Sequence, residues 1–396
     1  MTISMSPALR LFPPSALTEG RWVAEDIMQR RRFTVSARAA AALIASSQPR
    51  DRDQLICWLA DAELQPGRVS EATVPNPIDI SRDWAELVSQ LESIGLILDT
   101  ERIDRDPALR WLTELRSRWS PRGWHESLEY HALSFDYPCH DYTDGLGLLA
   151  DRERMVGYQS QEPDIDRLKL DYADRPGISL PEPEPTALAG TAEQLWVHHR
   201  APTSLTASHL RTVVSLGFGI TGVIRPKTNS APLIRRSSPS GGGRNPSEGY
   251  LVVLDVEGID CGWYHITMEP FSLRRLDEGP RSRADLEVIF PDTLKRFPYR
   301  CRALLVVTCV FERNMYRYRE PRTYRTVHMD AGHIASAVRL AARSLGLVAG
   351  IYYCDAATRF EQALGLDGMR EGYMLTVAFA DGQDSEAGGN REQAAS

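Results

Sequence analysis

The 396-residue chain has no run of about 18 apolar residues. Its opening, MTISMSPALRLFPPSALTEG, lacks the basic start and sustained apolar core of a secretory signal. The sequence therefore predicts no membrane partner and a cytoplasmic location. No C-x-x-C pair occurs among the six cysteines, Cys57, Cys139, Cys261, Cys301, Cys309 and Cys354, which argues against a disulfide framework or a zinc site. Cys139 and His140 adjoin each other near His131, but sequence neighbours rarely have the geometry of a nucleophile and its base. No metal is expected. Nor is there an excess of basic charge: a net charge of −7 and a pI near 5.8 exclude a broad electrostatic footprint for nucleic acid. The Gly-rich stretch GGGR is not followed by the βαβ unit that a dinucleotide site requires.

What remains is a globular protein. With 42% apolar and 25% charged residues, the chain can bury at least one sizeable core and divide into two or three domains. Ser36 is placed to cap an Ala-rich helix, and RDQLICWLADAE reads as a second. In SRDWAELVSQLESIGLILD, Trp84, Leu87, Val88, Leu91 and Ile94 recur at helical spacing, Gly95 stops the helix, and LILD follows as a strand. Helices followed by a short strand predict a winged-helix-like module over residues 1–105. Its third helix sets Asp83, Glu86 and Glu92 against Arg82, a poor balance for phosphate, so peptide docking or a structural role is expected. Residues 106–185 read as a connecting segment of helical and aromatic stretches ending in the extended LPEPEP. Residues 186–382 turn to mixed α and β: GYLVVLDVEG and WYHITM can pair, RALLVVTCVF is a third strand, and an Ala-rich helix spans 331–345. The polar tail 383–396 reads as disordered.

One loop leaves two readings open. In SSPSGGGRNPSEGYLVVL, three glycines adjoin a buried strand. Gly and Ser suit a linker, yet glycine without a Cβ also lets backbone N–H groups approach a flat or anionic ligand.

The order of several motifs settles which reading to prefer. SPSGGGRNPSEGYLVV leading to VEGIDCGWYHI, then LLVVTCVFERNMYRYREPRTYR, AGHIASAVRLAARSLGL and ALGLDGMREGYMLTV, together with the upstream WHESLEYHALSFDY, resembles the SagB-type dehydrogenases of the FMN-dependent nitroreductase superfamily. These flavoproteins oxidise azolines to azoles in ribosomally made peptides. The resemblance covers the last half of the chain and implies an α+β fold, a central sheet flanked by helices. It also implies a homodimer with FMN in the subunit interface, a precursor-peptide substrate, and other peptide-modifying enzymes as partners. Pro239, Ser240, Gly241, Gly242 and Gly243 would pass beside the isoalloxazine ring, with Asn245 as a side-chain contact. Arg325 would face the cofactor, and Gly350 and Ile351 would direct a backbone N–H towards flavin N5.

Two departures shape the expected chemistry. Where relatives carry a Lys–Tyr pair, this chain has Arg317 and Tyr318. The phenol can donate or relay a proton, but a guanidinium stays protonated in proteins and can only orient or stabilise charge. Arg317 with Arg313 and Arg319 would equally fit a solvated basic face. The relatives' Arg/Ser-rich phosphate cluster is also shortened to HHRAPTSLTASHL, leaving Arg200 as the best phosphate ligand, with His198 and His199 assisting and Arg235 and Arg236 as alternatives. His333 reads as a packing residue. Besides peptide dehydrogenation, an NAD(P)H-dependent nitro or quinone reductase and a non-catalytic peptide-binding scaffold fit the same chain.

Overall fold

The computed structural model describes residues 1–64, 76–135, 144–183, 202–224, 233–280 and 282–383. It divides into two compact units, Met1–Pro138 and Cys139–Ser396; the sequence predicts boundaries at 105 and 185. Cys139, His140, His198, His199, Arg200 and the tail beyond residue 383 lie outside the described residues.

In the first unit, β1 (Thr2–Met5), β2 (Leu9–Phe12), β3 (Trp22–Asp26), β4 (Arg31–Val35), β5 (Arg50–Asp51) and β6 (Ile97–Asp99) form two antiparallel sheets, β5-β1-β6 and the meander β2-β3-β4. Helices Ala37–Ala45, Arg52–Glu63 and Pro77–Ser93 pack between them around Ile3, Leu43, Leu55, Trp84, Val88 and Ile97. The helix starts are chemical. Ser36 accepts from the Ala39 N–H, Asp51 from those of Asp53 and Gln54, and Pro77 stands at a first-turn position where its missing N–H costs nothing. Gly95, at φ +80°, ends the third helix. Helices Pro107–Trp119 and His125–Ser134 belong to this unit because Leu112, Leu128 and Ala132 pack on Ala8 and Ile27.

The second unit is built on a seven-stranded antiparallel sheet. β7 (Gly177–Ser179) precedes a two-stranded hairpin of β8 (Ile220–Ile224) and β9 (Leu233–Arg236). After it come β10 (Ser247–Val253), β11 (Gly262–Met268), β12 (Phe271–Leu276), β13 (Ala303–Val310), β14 (Val348–Tyr352) and β15 (Glu371–Ala380). The sheet order is β14-β15-β13-β10-β11-β12-β7. Apolar residues alternate to both faces, so neither face can stay wet. Leu251, Val253, Leu305, Val307, Val377 and Phe379 meet helices Ala207–Phe218 and Thr323–Ser344. Tyr250, Val252, Leu304, Val306 and Ala378 meet Leu286, Ile289, Phe290, Phe360 and Leu364 from the opposite side. The long helix begins at Thr323 rather than near 331, because Val327 and Ala331 continue one buried stripe through TYRTVHMD. Gly217 lets helix Ala207–Phe218 pack closely on it: a Cβ there would lie 2.5 Å from Val338 Cγ2.

Ionised groups occupy one end of this sheet. Glu248 on β10 is 1% exposed, 2.5 Å from the Arg313 guanidinium and 3.3 Å from His265 Nε2. Burial alone would raise its pKa, but the charge of Arg313 and the His265 contact outweigh burial and bring it down to about 2. A carboxylate with a depressed folded pKa contributes stability above its unfolded value that is lost as pH falls through the folded one. Glu248→Gln should therefore lower the melting temperature at pH 7 and flatten the loss of stability between the ordinary carboxylate value of 4.5 and about 2. Thermal melts across that window check this; an unchanged acid limb contradicts it.

Candidate active site

The Gly-rich loop lies between β9 and β10, and the protein's own groups hold almost every part of it. Asp330 of the long helix accepts from Ser240 Oγ at 2.7 Å and from the Gly241 N–H at 3.1 Å. Ser240 Oγ in turn accepts from the Asn245 N–H at 2.9 Å. Burial pushes the Asp330 pKa up, against those hydrogen bonds. Arg244, 1% exposed, donates to the Arg313 carbonyl and to Asp164. Gly242 and Gly243 take φ of +60° and +62°, which a β-carbon disfavours, and Asn245 takes +48°.

Tyr318 meets this loop directly. A Cβ on Gly242 would stand 1.9 Å from the Tyr318 hydroxyl oxygen, and one on Gly241 would stand 2.3 Å from Thr326 Cγ2. The glycines are thus required first by the protein's own side chains. Arg317 lies beside the same site, its guanidinium carbon 5.3 Å from the centre of the Tyr318 ring and its Nη2 donating to Asp151 at 2.7 Å.

Other residues singled out in the sequence fall in different places. Pro239 is exposed, and its carbonyl lies 3.3 Å from His333 Nδ1. Asn245 is buried and turns its amide inward, donating to the carbonyls of Ile234 at 2.8 Å and Gly243 at 3.2 Å. Arg325 sits next to Thr326 in the first turns of the long helix. Gly350 and Ile351 are on edge strand β14, opposite Ala378 and Val377. The loop end of β15 is at Gly372, opposite Cys309, so in a single chain these two residues lie towards the other end of the sheet.

The basic-face reading of Arg313, Arg317 and Arg319 needs correction. Arg313 is 2% exposed and donates to the carbonyls of Asp166 at 2.9 Å and Asn245 at 3.0 Å in addition to pairing with Glu248. Arg319 pairs with Glu162 and lies 3.8 Å over the Tyr158 ring. Sequence reasoning missed Asp330, Asp151 and Glu248 as the acceptors that organise the region, since nothing local marks a carboxylate whose partner is many residues away. It missed Lys169 as well, whose Nζ lies 2.6 Å from Glu371 and 2.8 Å from the Tyr250 hydroxyl, in a cleft of about 580 Å³ that Arg313 also borders.

Behind the loop, two buried side chains keep polar atoms that no group of the chain satisfies. Arg236, 8% exposed, donates one nitrogen to the Ser247 carbonyl at 2.9 Å, while its Nε and Nη2 and the Ser247 hydroxyl have no hydrogen-bond partner. These groups border a cavity of about 10 Å³ with Ser238, Ser240, Asn245 and Asp330. Buried polar groups are normally satisfied, so these donors fit an acceptor supplied from outside the chain. The space behind the loop holds about one water molecule, too little for a phosphate or the edge of a flavin ring. Among the described residues, no group of His, Cys, Asp and Glu could hold a metal ion, and no helix is long and apolar enough to cross a membrane.

An antiparallel sheet enclosed by helices, with a glycine loop closed against a tyrosine, defines an α+β protein of the nitroreductase kind, and residues 199–382 match the nitroreductase family. The chain is 31% identical over 275 residues to the trifolitoxin-processing protein TfxB of Rhizobium leguminosarum bv. trifolii, covering 64% of this chain and 69% of that protein. A nitroreductase-like protein of Methanocaldococcus jannaschii is 30% identical over 172 residues, 43% of this chain and 80% of that one. The chain belongs to the nitroreductase family, and within it to the SagB-type branch. A solved nitroreductase-like protein of Anabaena variabilis is 21% identical with a TM-score of 0.39, over 59% of this chain and 47% of that one, so this chain spans about half of its length. A chain of the E. coli microcin synthetase McbBCD complex is 18% identical with a TM-score of 0.36, over 61% of this chain and 94% of that one.

The contact between Gly242 and Tyr318 yields a double-variant test. Gly242→Ala should cost about 1–3 kcal/mol, from overpacking against the phenol and from the positive φ. In a Tyr318→Ala background the overpacking part should vanish and leave the smaller backbone part. Denaturant unfolding of the two singles and the double measures this. Additive losses would mean that the two residues do not touch.

Proposed function

We propose that the chain is an FMN-dependent dehydrogenase that oxidises a ribosomally synthesised precursor peptide, by azoline-to-azole conversion or a related two-electron oxidation. The observation that carries this reading is the packing of the Tyr318 hydroxyl onto Gly242, which unites the surviving member of the relatives' Lys–Tyr pair with the loop that would lie beside a flavin. The similarity to a toxin-processing protein supports the substrate class. A first unit with its own core supports an added module, to which we assign peptide docking, a part that a small-molecule reductase does not need.

FMN, when bound, supplies the two-electron acceptor. Pro239 to Gly243 would lie along its ring, with Arg325 offering donors to its acceptor atoms and Arg200 to its phosphate. Gly350 and Ile351 would join the site from a second copy of the chain, in keeping with a homodimer. Other peptide-modifying enzymes are the natural further partners. The Tyr318 hydroxyl can hand on the proton that the substrate loses. Arg317 stays protonated and can hold the substrate or stabilise developing negative charge.

Purified protein should be yellow and release FMN on denaturation, and it should sediment as a dimer; colourless folded protein would overturn the reading. Tyr318→Phe should retain FMN yet slow its reduction by the cognate peptide by about 10²–10⁴-fold, the usual contribution of a positioned acid–base group. Single-turnover bleaching measures this, and bleaching at the parent rate would remove Tyr318 from the mechanism.

A further inference from the structure

Helix Gly145–Gln161 has no buried residue, so apolar packing does little to hold it. Polar contacts instead tie it to the segment that carries Arg317 and Tyr318. Asp151 Oδ2 accepts from Arg317 at 2.7 Å, Arg319 lies over the Tyr158 ring and pairs with Glu162, and the Tyr316 hydroxyl donates to the Glu162 carbonyl at 3.4 Å. The Asp151 and Arg317 side chains are only 18% and 22% exposed, which shields the ion pair between them from solvent.

The charged surroundings of Arg317 are uneven. Asp151 is the carboxylate in contact with it. Arg154 stands 3.7 Å from Asp151, and Arg167, itself 3.3 Å from Asp164, lies near enough that burial and then the charges of Arg244 and Arg317 lower its pKa; the nearby Glu162 is paired with Arg319. Burial opposes the charge on Arg317 itself, but hydrogen bonds to Asp151 and Tyr318 outweigh burial and raise its pKa.

We propose that Asp151 is a positioning residue that fixes the Arg317 guanidinium against Tyr318 and would hold any basic side chain at position 317 in its charged form. The inference rests on Arg317 and Tyr318 being the reacting pair. It changes what the Arg-for-Lys departure means. A lysine placed at 317 would face the same carboxylate and remain an ammonium, so the relatives' residue type would not by itself provide a proton acceptor. With Asp151 neutralised, the nearby Arg154 and Arg167 are cations, and like charge favours the neutral amine. The carboxylate, together with the arginine, decides that this position acts through charge.

The test compares Arg317→Lys with Arg317→Lys/Asp151→Asn in the full-length chain. Amines are pulse-labelled with acetic anhydride across a pH series and the sites are mapped by mass spectrometry. Lysine is scarce in this protein, with only Lys169, Lys227 and Lys295 native, and the exposed Lys295 serves as the internal standard. In the single variant, the amine introduced at position 317 should label at neutral pH no faster than Lys295. In the double variant it should label about tenfold faster, a downward shift of about one pH unit in its profile. Equal profiles in the two variants would overturn the proposal, as would fast labelling at position 317 with Asp151 present. A third variant, Arg317→Lys/Asp151→Glu, should restore the single-variant profile, which a merely structural Asp151 would not require.

Should the lysine variants fail to fold, Asp151→Asn alone carries the test. Phenylglyoxal should then modify Arg317 about fivefold faster than in the parent, as expected for loss of an ion pair worth about 1 kcal/mol; an unchanged rate overturns the proposal. Labelling needs neither flavin nor substrate. FMN content of the same preparations therefore reports separately on the proposed function.

Discussion

Arg313 is the tie on which the catalytic half depends. Its guanidinium pairs with Glu248 on β10 and donates to the carbonyls of Asn245 in the loop and Asp166 in the preceding segment. Its own carbonyl receives Arg244. Loop, central strand and upstream segment therefore converge on one buried residue. A buried ion pair of this type adds little net stability over an apolar pair of the same shape, but breaking it by removing one partner costs about 3–5 kcal/mol. What it provides is one defined arrangement at the end of a sheet that would otherwise close over with apolar side chains.

The glycines follow from that arrangement. With Arg244 and Asn245 fixed inward and Ser240 and Gly241 tied to Asp330, the chain between them must turn through two left-handed positions. Tyr318 then occupies the space that a side chain at 242 would need. Hydrogen bonds therefore set the shape of the loop before any ligand is considered. Its tip leaves Pro239 and Gly242 exposed. The orphaned nitrogens of Arg236 behind the loop are the opposite case, donors held ready without an acceptor.

Charge follows the same division. Of the arginines near the site, Arg313 and Arg244 are structural cations bound to carboxylates and carbonyls of the scaffold. Arg317 is held by a single carboxylate from a helix with little apolar hold, beside the loop. Identical side chains thus differ in role according to how many fixed acceptors surround each one.

Much of this protein is determined locally and so could be read from its sequence. The cap at Ser36 acts within three residues, the helix stop at Gly95 needs only its own φ, and alternation along YLVV and ALLVV follows from the two-residue repeat of a strand. The order of glycine loop, strand, Tyr318 and Ala-rich helix likewise sufficed to indicate the family. Tertiary structure alone decided which charges are buried and which partners they take. Arg313 finds Glu248, Ser240 finds Asp330, and Arg317 finds Asp151 across long stretches of chain. Nothing in a local pattern encodes such pairings, because Coulombic and hydrogen-bond energies depend on distance and burial in space, and only the folded sheet brings those groups together.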